Sequence, residues 1–323
     1  MNKKISIIVP HFNSVDMVQK LMDSIPVDKR IQTIIVDDNS TEDITELRKY
    51  IKNAPANKQI ELYTNDTGVK GAGSARNVGL DHAEGEWLLF ADSDDYFTEG
   101  WLDRVSIYLN SQYDMVYFVP TSIDLTTGQV SSRHRMYAEL VTKYYKKPSD
   151  KSLAELKYCF CTPWSKLIRK SIVDENNIRF DQVMASNDIM AITKCAFNSK
   201  KVAADLGVIY CVTRGGASLT SKKNKDNFWA RIDVFIRRYC YVRENETKKM
   251  FKYAHLDRYA LGKLVDVVLE GWGLKTFLGI VGMYRIEHIK IWDVGLFNPF
   301  VLGHKAMIEL SWWWDIKKRR KNK

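Results

Sequence analysis

Short apolar strands that alternate with helical segments constrain the fold of this chain more than any other feature. The predicted strands are residues 4–9, 31–36, 59–63 and 87–91, and helical patterns lie between them. Strands that are apolar on both faces and alternate with helices are typical of a mainly parallel sheet covered on both sides. The sequence therefore predicts an α/β fold over its first half.

Polar clusters follow three of these strands at the points where the strands end. They are His11–Asn13, Asp37–Ser40 and Asp92–Asp95. In open α/β sheets, ligands bind in the crevice at the carboxyl ends of the strands. We therefore expect the three clusters to converge on one crevice.

The cluster after the fourth strand contains Asp92 and Asp94, with Asp95 beside them. Carboxylates this close repel each other unless a cation lies between them or one is protonated. Mg²⁺ and Mn²⁺ prefer oxygen ligands, and Mg²⁺ usually binds through one or two carboxylates together with substrate phosphates. The pattern thus fits a metal that holds a diphosphate, and its structural alternative is a solvated acidic turn.

Asp37 and Asp38 follow the second strand. A carboxylate here can accept a hydrogen bond from a base N–H or a ribose hydroxyl, as the acidic residue of dinucleotide-binding folds does. The alternative is an Asx turn with Thr41 as helix cap, and one aspartate can serve each purpose.

A glycine-rich stretch, GAGSARNVG, spans residues 71–79. It is not a dinucleotide fingerprint, because the third glycine position is Arg76 and the stretch does not follow the first strand. Glycines at a helix N-terminus still suit the approach of a phosphate. Arg76 adds a fixed positive charge there.

Four motifs occur in order: SIIVPHFN, VDDNST, GAGSARNVGL and GEWLLFADSDDYF. At these spacings the chain resembles family 2 glycosyltransferases with the GT-A fold, of the bacterial surface-polysaccharide type. The resemblance is dense over about the first 100 residues, and a thinner match through TPWSKLIRKSIV and RFDQVMASNDIMAITK extends to about residue 220. It implies an inverting hexosyl transfer from a nucleotide-diphosphate sugar, such as a UDP-sugar, assisted by Mn²⁺ or Mg²⁺.

The resemblance also implies roles for the donor side of the site. Asp38, with Asp37, holds the base or ribose, and Asp92 and Asp94 serve the ribose and the metal-bound diphosphate. The residues that line or support the nucleotide are Pro10, Phe12, Arg76 and Asn77.

On the acceptor side, the resemblance assigns the general base to Asp188. Asn187 departs from the family, in which the position is usually Glu, and this puts the adjoining acceptor contact in question. Trp164 is expected to stack on an acceptor sugar or to be a core residue. Arg214 and Ser218 are expected to close over the diphosphate or to form a solvated turn.

The composition changes near residue 225, which predicts two regions. Residues 1–225 form the GT-A domain, and residues 226–323 form a helical, aromatic-rich region. Residues 270–314 mix tryptophans and other aromatic residues with lysines and arginines, and residues 316–323 hold six basic residues and no acid. This pattern favours attachment to an anionic membrane surface. The alternative is a helical subdomain that packs its aromatic side chains into a core or a dimer contact.

The net charge is +10, the five cysteines form no CxxC pair, and no run reaches the roughly 18 apolar residues of a membrane span. We expect a cytoplasmic protein on the inner face of the cell membrane. It would act on a saccharide or lipid-linked acceptor and bind no nucleic acid. The alternatives are a nucleotidyltransferase, a DxD-type phosphohydrolase, and a basic nucleic-acid-binding or scaffold protein.

Overall fold

The computed structural model describes residues 3–215 and 224–291. The chain divides into two compact units, Met1–Ala254 and His255–Lys323. The first unit therefore includes helical residues beyond the composition change near residue 225. The assignment of a catalytic domain to residues 1–225 and of an attachment region to residues 226–323 stays a prediction.

In the described part of the first unit, eight strands form one sheet. The strands are β1 Ile5–His11, β2 Ile31–Asp37, β3 Gln59–Thr64, β4 Trp87–Phe90, β5 Tyr96–Phe97, β6 Met115–Asp124, β7 Lys166–Arg169 and β8 Val202–Arg214. Their order is β3-β2-β1-β4-β7-β6-β8-β5. The sheet is mixed, because β7 runs antiparallel to β4 and β6, and β5 runs antiparallel to β8.

Helices cover this sheet. The helices of the first unit are α1 Val15–Asp23, α2 Thr45–Asn53, α3 Ala72–Asp81, α4 Trp101–Ser106, α5 Arg135–Lys146, α6 Asp150–Cys159, α7 Lys170–Glu175, α8 Ile189–Asn198, α9 Lys225–Asn245 and α10 Lys248–Tyr253. The predicted α/β fold, with a mainly parallel sheet flanked by helices, is confirmed.

The core lies where β1, β2 and β4 pack beneath the helices. Every residue of these three strands is buried. Because both faces of the strands are covered, only short polar segments at the strand ends reach solvent. The sheet thereby places its polar clusters along one edge.

The described part of the second unit has two helices, α11 Leu256–Leu269 and α12 Leu274–Ile286. The predicted helical character of the C-terminal region is confirmed for the described residues. Tyr284 is buried, as the core alternative expected, whereas Trp272 and Phe277 are half-buried. The aromatic residues from Trp292 onward and the basic tail lie outside the described residues. None of the described helices is both long and apolar enough to span a bilayer.

Helix α3 approaches β1 so closely that glycine is required at their crossing. A Cβ atom on Gly79 would lie 2.5 Å from Cγ2 of Ile8, which is fully buried. We expect Gly79→Ala to lower the free energy of unfolding by about 1–3 kcal/mol, because the core must shift to admit the methyl group. Urea unfolding measures the change.

The matched control is Asp81→Ala, at the exposed end of the same helix. Asp81 makes a surface ion pair with Arg179 at 3.0 Å, and such a pair contributes about 0–1 kcal/mol. Equal stability of the wild type and Gly79→Ala would contradict the close packing described here.

Candidate active site

The three polar clusters meet at one edge of the sheet. In the register of β1 and β2, His11 lies opposite Asp37, and the Asp38 N–H donates to the His11 carbonyl at 2.8 Å. Ser14, just after the first cluster, hydrogen-bonds through its hydroxyl to Ser93 at 2.9 Å. The crevice expected from the sequence is therefore present.

Asp38 anchors the loop that leads from β3 into α3. Its carboxylate accepts hydrogen bonds from Nδ2 of Asn65 at 2.6 Å and from the N–H of Gly71 at 2.7 Å. Gly71 has a φ of 133°, which a residue with a side chain rarely adopts. Asp38 thus holds the glycine-rich loop in place, in addition to any contact with a ligand.

Asp37 belongs to a second buried group at the end of β2. Its Oδ1 accepts from the Ser40 hydroxyl at 2.6 Å and lies 3.1 Å from Nδ1 of His11. His11 is buried, and its Nε2 has no hydrogen-bond partner among the described residues but lies 3.9 Å from a Glu42 oxygen. Asp37 also accepts from the Ser40 N–H at 3.2 Å and so stabilises the turn after β2, as the Asx-turn alternative expected. The prediction of Thr41 as helix cap is wrong, because α2 begins at Thr45 and Ile44 precedes it.

The residues around the end of β1 differ in exposure. Pro10 is buried within the strand, whereas Phe12 is 42% exposed at the rim of the crevice. The Lys70 ammonium lies 5.7 Å from the centre of the Phe12 ring. An exposed aromatic ring next to a cation offers a flat surface on which a base can stack.

The acidic loop after β4 presents carboxylates in three different environments. Asp92 is half-buried and forms an ion pair with Arg76 at 2.6 Å. Asp94 has exposed surface but lies close to surrounding protein atoms, and no other described residue donates a hydrogen bond to its carboxylate. Desolvation by the surrounding protein raises the pKa of Asp94, and the charge of Asp92 raises it further.

Asp95 is buried and secures this loop to β8. Its carboxylate accepts hydrogen bonds from the Tyr210 hydroxyl at 2.9 Å and the Thr213 N–H at 2.7 Å. The Tyr210 oxygen in turn accepts from the Asp92 N–H at 2.9 Å. Burial, followed by the charges of Asp94 and Asp92, raises the pKa of Asp95 well above its usual value.

Arg76 connects the acidic loop to the segment before α8. Its guanidinium donates to Asp92 at 2.6 Å and to Oδ1 of Asn187 at 2.8 Å, and the residue is 5% exposed. The next residue, Asn77, bonds both the N–H and the carbonyl of Phe180. Since the Asn77 amide is used in this way, Asn77 positions the segment around Phe180, which packs against the Arg76 guanidinium.

Asp188 lies at the N-terminus of α8, directly after Asn187, and is half-buried. No other described residue donates a hydrogen bond to its carboxylate, so it is open to a substrate. Burial raises the pKa of Asp188, and the positive charge of Arg76 opposes this shift. A carboxylate with a raised pKa is a stronger base than an ordinary aspartate.

The segment that carries Asp188 is fixed from two sides. The Asp181 N–H donates to the Asn187 carbonyl at 3.0 Å, and Arg237 of α9 forms an ion pair with Asp181 at 2.8 Å. A Cβ atom on Gly73 would lie 2.1 Å from the Asp181 carbonyl oxygen. The first turn of α3 therefore requires glycine where this segment crosses it.

Trp164 lies in the core and not at the surface of the crevice. Its ring stacks on Tyr210 with 5.8 Å between centroids, and the residue is 3% exposed. Trp164 is therefore a core residue and not a surface for stacking an acceptor sugar, because protein covers the face of its ring. Behind it, the buried Lys166 ammonium donates to the carbonyls of Thr162 and Trp164.

Arg214 ends β8, next to Asp124 of β6, and is half-buried. Its carbonyl accepts a hydrogen bond from the N–H of Leu125 at 2.7 Å. Ser218, the other predicted member of this loop, lies outside the described residues. The role of the loop in diphosphate binding stays a prediction.

Several residues of the site were not found by the sequence analysis. Asn65 follows β3 directly, so the rule that polar residues at strand ends mark the crevice could have found it. Tyr210 lies within an apolar strand and carries no such signal. Arg133 lies in a segment without a motif, yet its charge acts on Asp94.

The donor atoms of the acidic loop fit a hard divalent cation. Asp94 and the second oxygen of Asp92 offer carboxylate oxygens, which Mg²⁺ and Mn²⁺ prefer. Among the described residues, no three His, Cys, Asp or Glu side chains are grouped as a complete metal site. A cation here would therefore take its other ligands from a bound diphosphate and water.

The mixed sheet, the acidic loop after β4 and the acid at the start of α8 define a glycosyltransferase fold of the GT-A class. The sequence matches the profile described as "Glycosyl transferase family 2" over residues 6–176, which is more than half of the chain. The chain belongs to this family.

Two curated relatives act on the same kind of polymer. The poly(ribitol-phosphate) β-N-acetylglucosaminyltransferase TarS of Staphylococcus aureus is 26% identical over 225 residues, covering 68% of this chain and 37% of the relative. The poly(ribitol-phosphate) β-glucosyltransferase of Bacillus spizizenii is 28% identical over 245 residues, covering 72% of this chain and 36% of the relative. This chain thus spans little more than a third of the length of either protein.

A solved structure shares the fold. The crystal structure of residues 1–349 of S. aureus TarS in complex with UDP-GlcNAc matches with a TM-score of 0.58 and 21% identity, covering 79% of this chain and 70% of that chain. At this identity the likeness shows the fold alone.

Proposed function

We propose that this protein transfers a hexosyl group, with inversion, from a UDP-sugar to a hydroxyl group of a saccharide or lipid-linked acceptor, assisted by Mn²⁺ or Mg²⁺. The observation that carries the proposal is the position of Arg76, which bonds both Asp92 of the acidic loop and Asn187, the neighbour of Asp188. Donor-binding acids and a candidate base therefore lie in one crevice, as sugar transfer requires.

The donor side of the crevice suits a uridine nucleotide. Asp38 and the glycine-rich loop that it anchors lie at the end of β2, and the exposed ring of Phe12 lies at the end of β1. The S. aureus TarS fragment was crystallised in complex with UDP-GlcNAc, which supports a UDP-sugar as the donor here. The sugar itself is left open by these contacts.

Asp92 and Asp94 are the residues that would hold the cation. When bound, a divalent cation neutralises negative charge on the leaving diphosphate. Arg76 orients Asp92 by a short ion pair, and the Tyr210 hydroxyl holds the backbone of the same loop. The protein thus keeps two carboxylates at a fixed place although they repel each other.

Asp188 is the proposed general base. An acceptor hydroxyl is a weak nucleophile, and a positioned carboxylate that removes its proton accelerates attack by roughly 10²–10⁴-fold. Inversion needs one such base on the face of the sugar opposite the leaving group. Asp188 suits this role because no other described side chain occupies its carboxylate and because burial raises its pKa.

The acceptor proposal includes polyol-phosphate polymers. Both curated relatives described above are named for transfer to poly(ribitol-phosphate). A nucleotidyltransferase would need a glycine-rich phosphate loop directly after β1, where this chain has PHFNS. The absence of nucleic-acid binding stays a prediction.

We also propose that the second unit attaches the enzyme to the inner face of the cell membrane. Its described helices expose six large apolar side chains: Val265, Val268, Leu269, Leu274, Leu278 and Ile286. Basic residues, among them Lys275 and Arg285, lie on the same helices. Apolar side chains accompanied by basic residues are typical of helices that lie in the headgroup layer.

Asp94→Asn tests the metal assignment. We expect Mn²⁺-dependent release of UDP from a UDP-sugar to fall at least about 100-fold, because the charge on the leaving group loses its bound cation. A UDP-release assay measures turnover, and a thermal-shift screen of nucleotide sugars with and without Mn²⁺ identifies the donor. Glu175→Gln, an exposed acid at the end of α7, is the control. Wild-type turnover in Asp94→Asn would refute the assignment.

Asp188→Asn tests the base. We expect the variant to bind UDP as tightly as the wild type but to lose transfer by roughly 10²–10⁴-fold, since the amide cannot accept the proton. Isothermal titration measures UDP binding, and product analysis measures transfer. Full transfer by this variant would assign the base to another residue.

The pH dependence of the variant Asn187→Asp tests the same assignment of Asp188 as the general base. The new carboxylate keeps the shape of Asn187 but adds a negative charge beside Asp188 and competes for Arg76. The added charge and the weaker influence of Arg76 both favour the protonated form of Asp188, so they raise the pKa of Asp188 further. Because the base must be deprotonated, the acid limb of kcat/KM is expected to move to higher pH. An unmoved limb would argue against Asp188 as the titrating group.

Leu269→Ser/Leu274→Ser tests membrane attachment. We expect weaker binding to anionic vesicles, because two exposed apolar side chains no longer enter the headgroup layer. Vesicle sedimentation measures the bound fraction. Val130→Ser is the control, since Val130 in the first unit is as exposed as Leu269, at 73%. Equal binding of the double variant and the wild type would remove this proposal.

A further inference from the structure

Helix α5 begins at the crevice that holds the acidic loop. Just before it, Arg133 donates to the Thr213 carbonyl at 3.2 Å, and its charge lowers the pKa of Asp94. In the first turn of α5, Tyr137 packs its ring against Trp164 at 5.1 Å, and the charge of Asp188 acts on its phenol. The start of α5 therefore lies between the acidic loop and the proposed base.

The outer face of α5 forms a shallow groove with a volume of about 390 Å³. The residues that line it are His134, Arg135, Ala138, Glu139, Thr142, Lys143 and Lys146. Three of them are cationic and one is acidic. The lining of the groove thus carries an excess of positive charge.

Two of the three cations that line the groove form no ion pair with a described acid. Lys143 forms an ion pair with Glu155 of α6, but no described acid pairs with Arg135 or Lys146. Arg133, at the end of the groove that meets the crevice, is exposed, and its guanidinium bonds a carbonyl and no described carboxylate. Exposed cations without an acidic partner favour a ligand that carries repeated negative charges.

The length and polarity of the face also bear on the ligand. Twelve helical residues extend about 18 Å, at about 1.5 Å for each residue. Ala138 is the one apolar residue among the described residues that line the groove, and Met136 and Tyr145 of the same helix are also exposed. The excess of cations along this length favours an extended polyanion, and binding to anionic vesicles distinguishes that ligand from a membrane surface.

We propose that the outer face of α5, from Arg133 to Lys146, is the docking surface for a polyanionic acceptor with repeated phosphodiester groups. The reacting hydroxyl of that acceptor enters the crevice between Asp94 and Asp188, while the phosphates behind it lie along the groove. The inference rests on the proposed function, because it assigns a docking surface on this chain to the acceptor proposed there.

A binding experiment that needs no turnover tests the surface. Fluorescent poly(ribitol phosphate) is titrated with the full chain, and anisotropy gives Kd at low and at physiological salt. The test variant is Arg135→Glu/Lys146→Glu. The control is Lys52→Glu/Lys200→Glu, which makes the same change in net charge at exposed lysines outside the groove.

The wild type is expected to bind the polymer more tightly than neutral dextran, with an affinity that falls as salt rises. The test variant is expected to bind about tenfold more weakly and with a flatter salt dependence, because fewer counterions are released. The control variant is expected to lose much less affinity. UDP affinity of the test variant, measured in parallel, shows that its donor site is folded.

Equal polymer affinity of the wild type and the test variant would overturn the proposal, as would a wild type that does not bind the polymer. Loss of binding to anionic vesicles with retained polymer binding would identify a membrane surface instead. If the polymer binds through these residues but no UDP-sugar supports transfer, the docking surface stands and the proposed function fails. If the wild type transfers sugar and the test variant has the same polymer affinity as the wild type, the docking surface is wrong and the proposed function stands.

Discussion

The ion pair between the buried Arg76 and the half-buried Asp92 is the interaction on which the rest of the site depends. A guanidinium removed from water is costly unless an anion and further acceptors compensate for it. Asp92 supplies the anion, and Asn187 supplies a neutral oxygen. Because one guanidinium bonds both, the acidic loop after β4 and the segment that carries Asp188 cannot move apart without removing an acceptor from the buried Arg76.

This arrangement also explains how three carboxyl-bearing positions around residue 94 tolerate each other. Arg76 neutralises Asp92, while the Tyr210 hydroxyl and the Thr213 N–H stabilise Asp95 within the core. Asp94 has neither kind of partner among the described residues, and its pKa is raised. Asp94 thus carries the uncompensated negative charge of the loop, and a cation bound together with a diphosphate can compensate for that charge.

The sequence predicted the sheet and the meeting of the polar clusters at one of its edges, because apolar strands and polar strand ends are local patterns. Asp38 and Asp92 were found in this way. The position of Asp188 beside Arg76 depends on contacts between distant segments, and only the family resemblance indicated it. Trp164 was ambiguous because a tryptophan suits both a sugar-binding surface and a core, and its packing on Tyr210 decides for the core. Arg133 had no local pattern.

The two sides of the crevice therefore differ in how they are built. On the donor side, Asp37 and Asp38 follow a fully buried strand, and backbone N–H groups and short side chains hold their carboxylates. On the acceptor side, the outer face of α5 and the start of α8 present Arg135, Lys146 and Asp188, which no other described residue holds. A buried strand end tolerates little change, whereas an exposed helix face can exchange charges without disturbing the core. If the proposed docking surface is correct, changes along α5 alter acceptor binding while the strand ends that carry Asp37 and Asp38 keep their geometry.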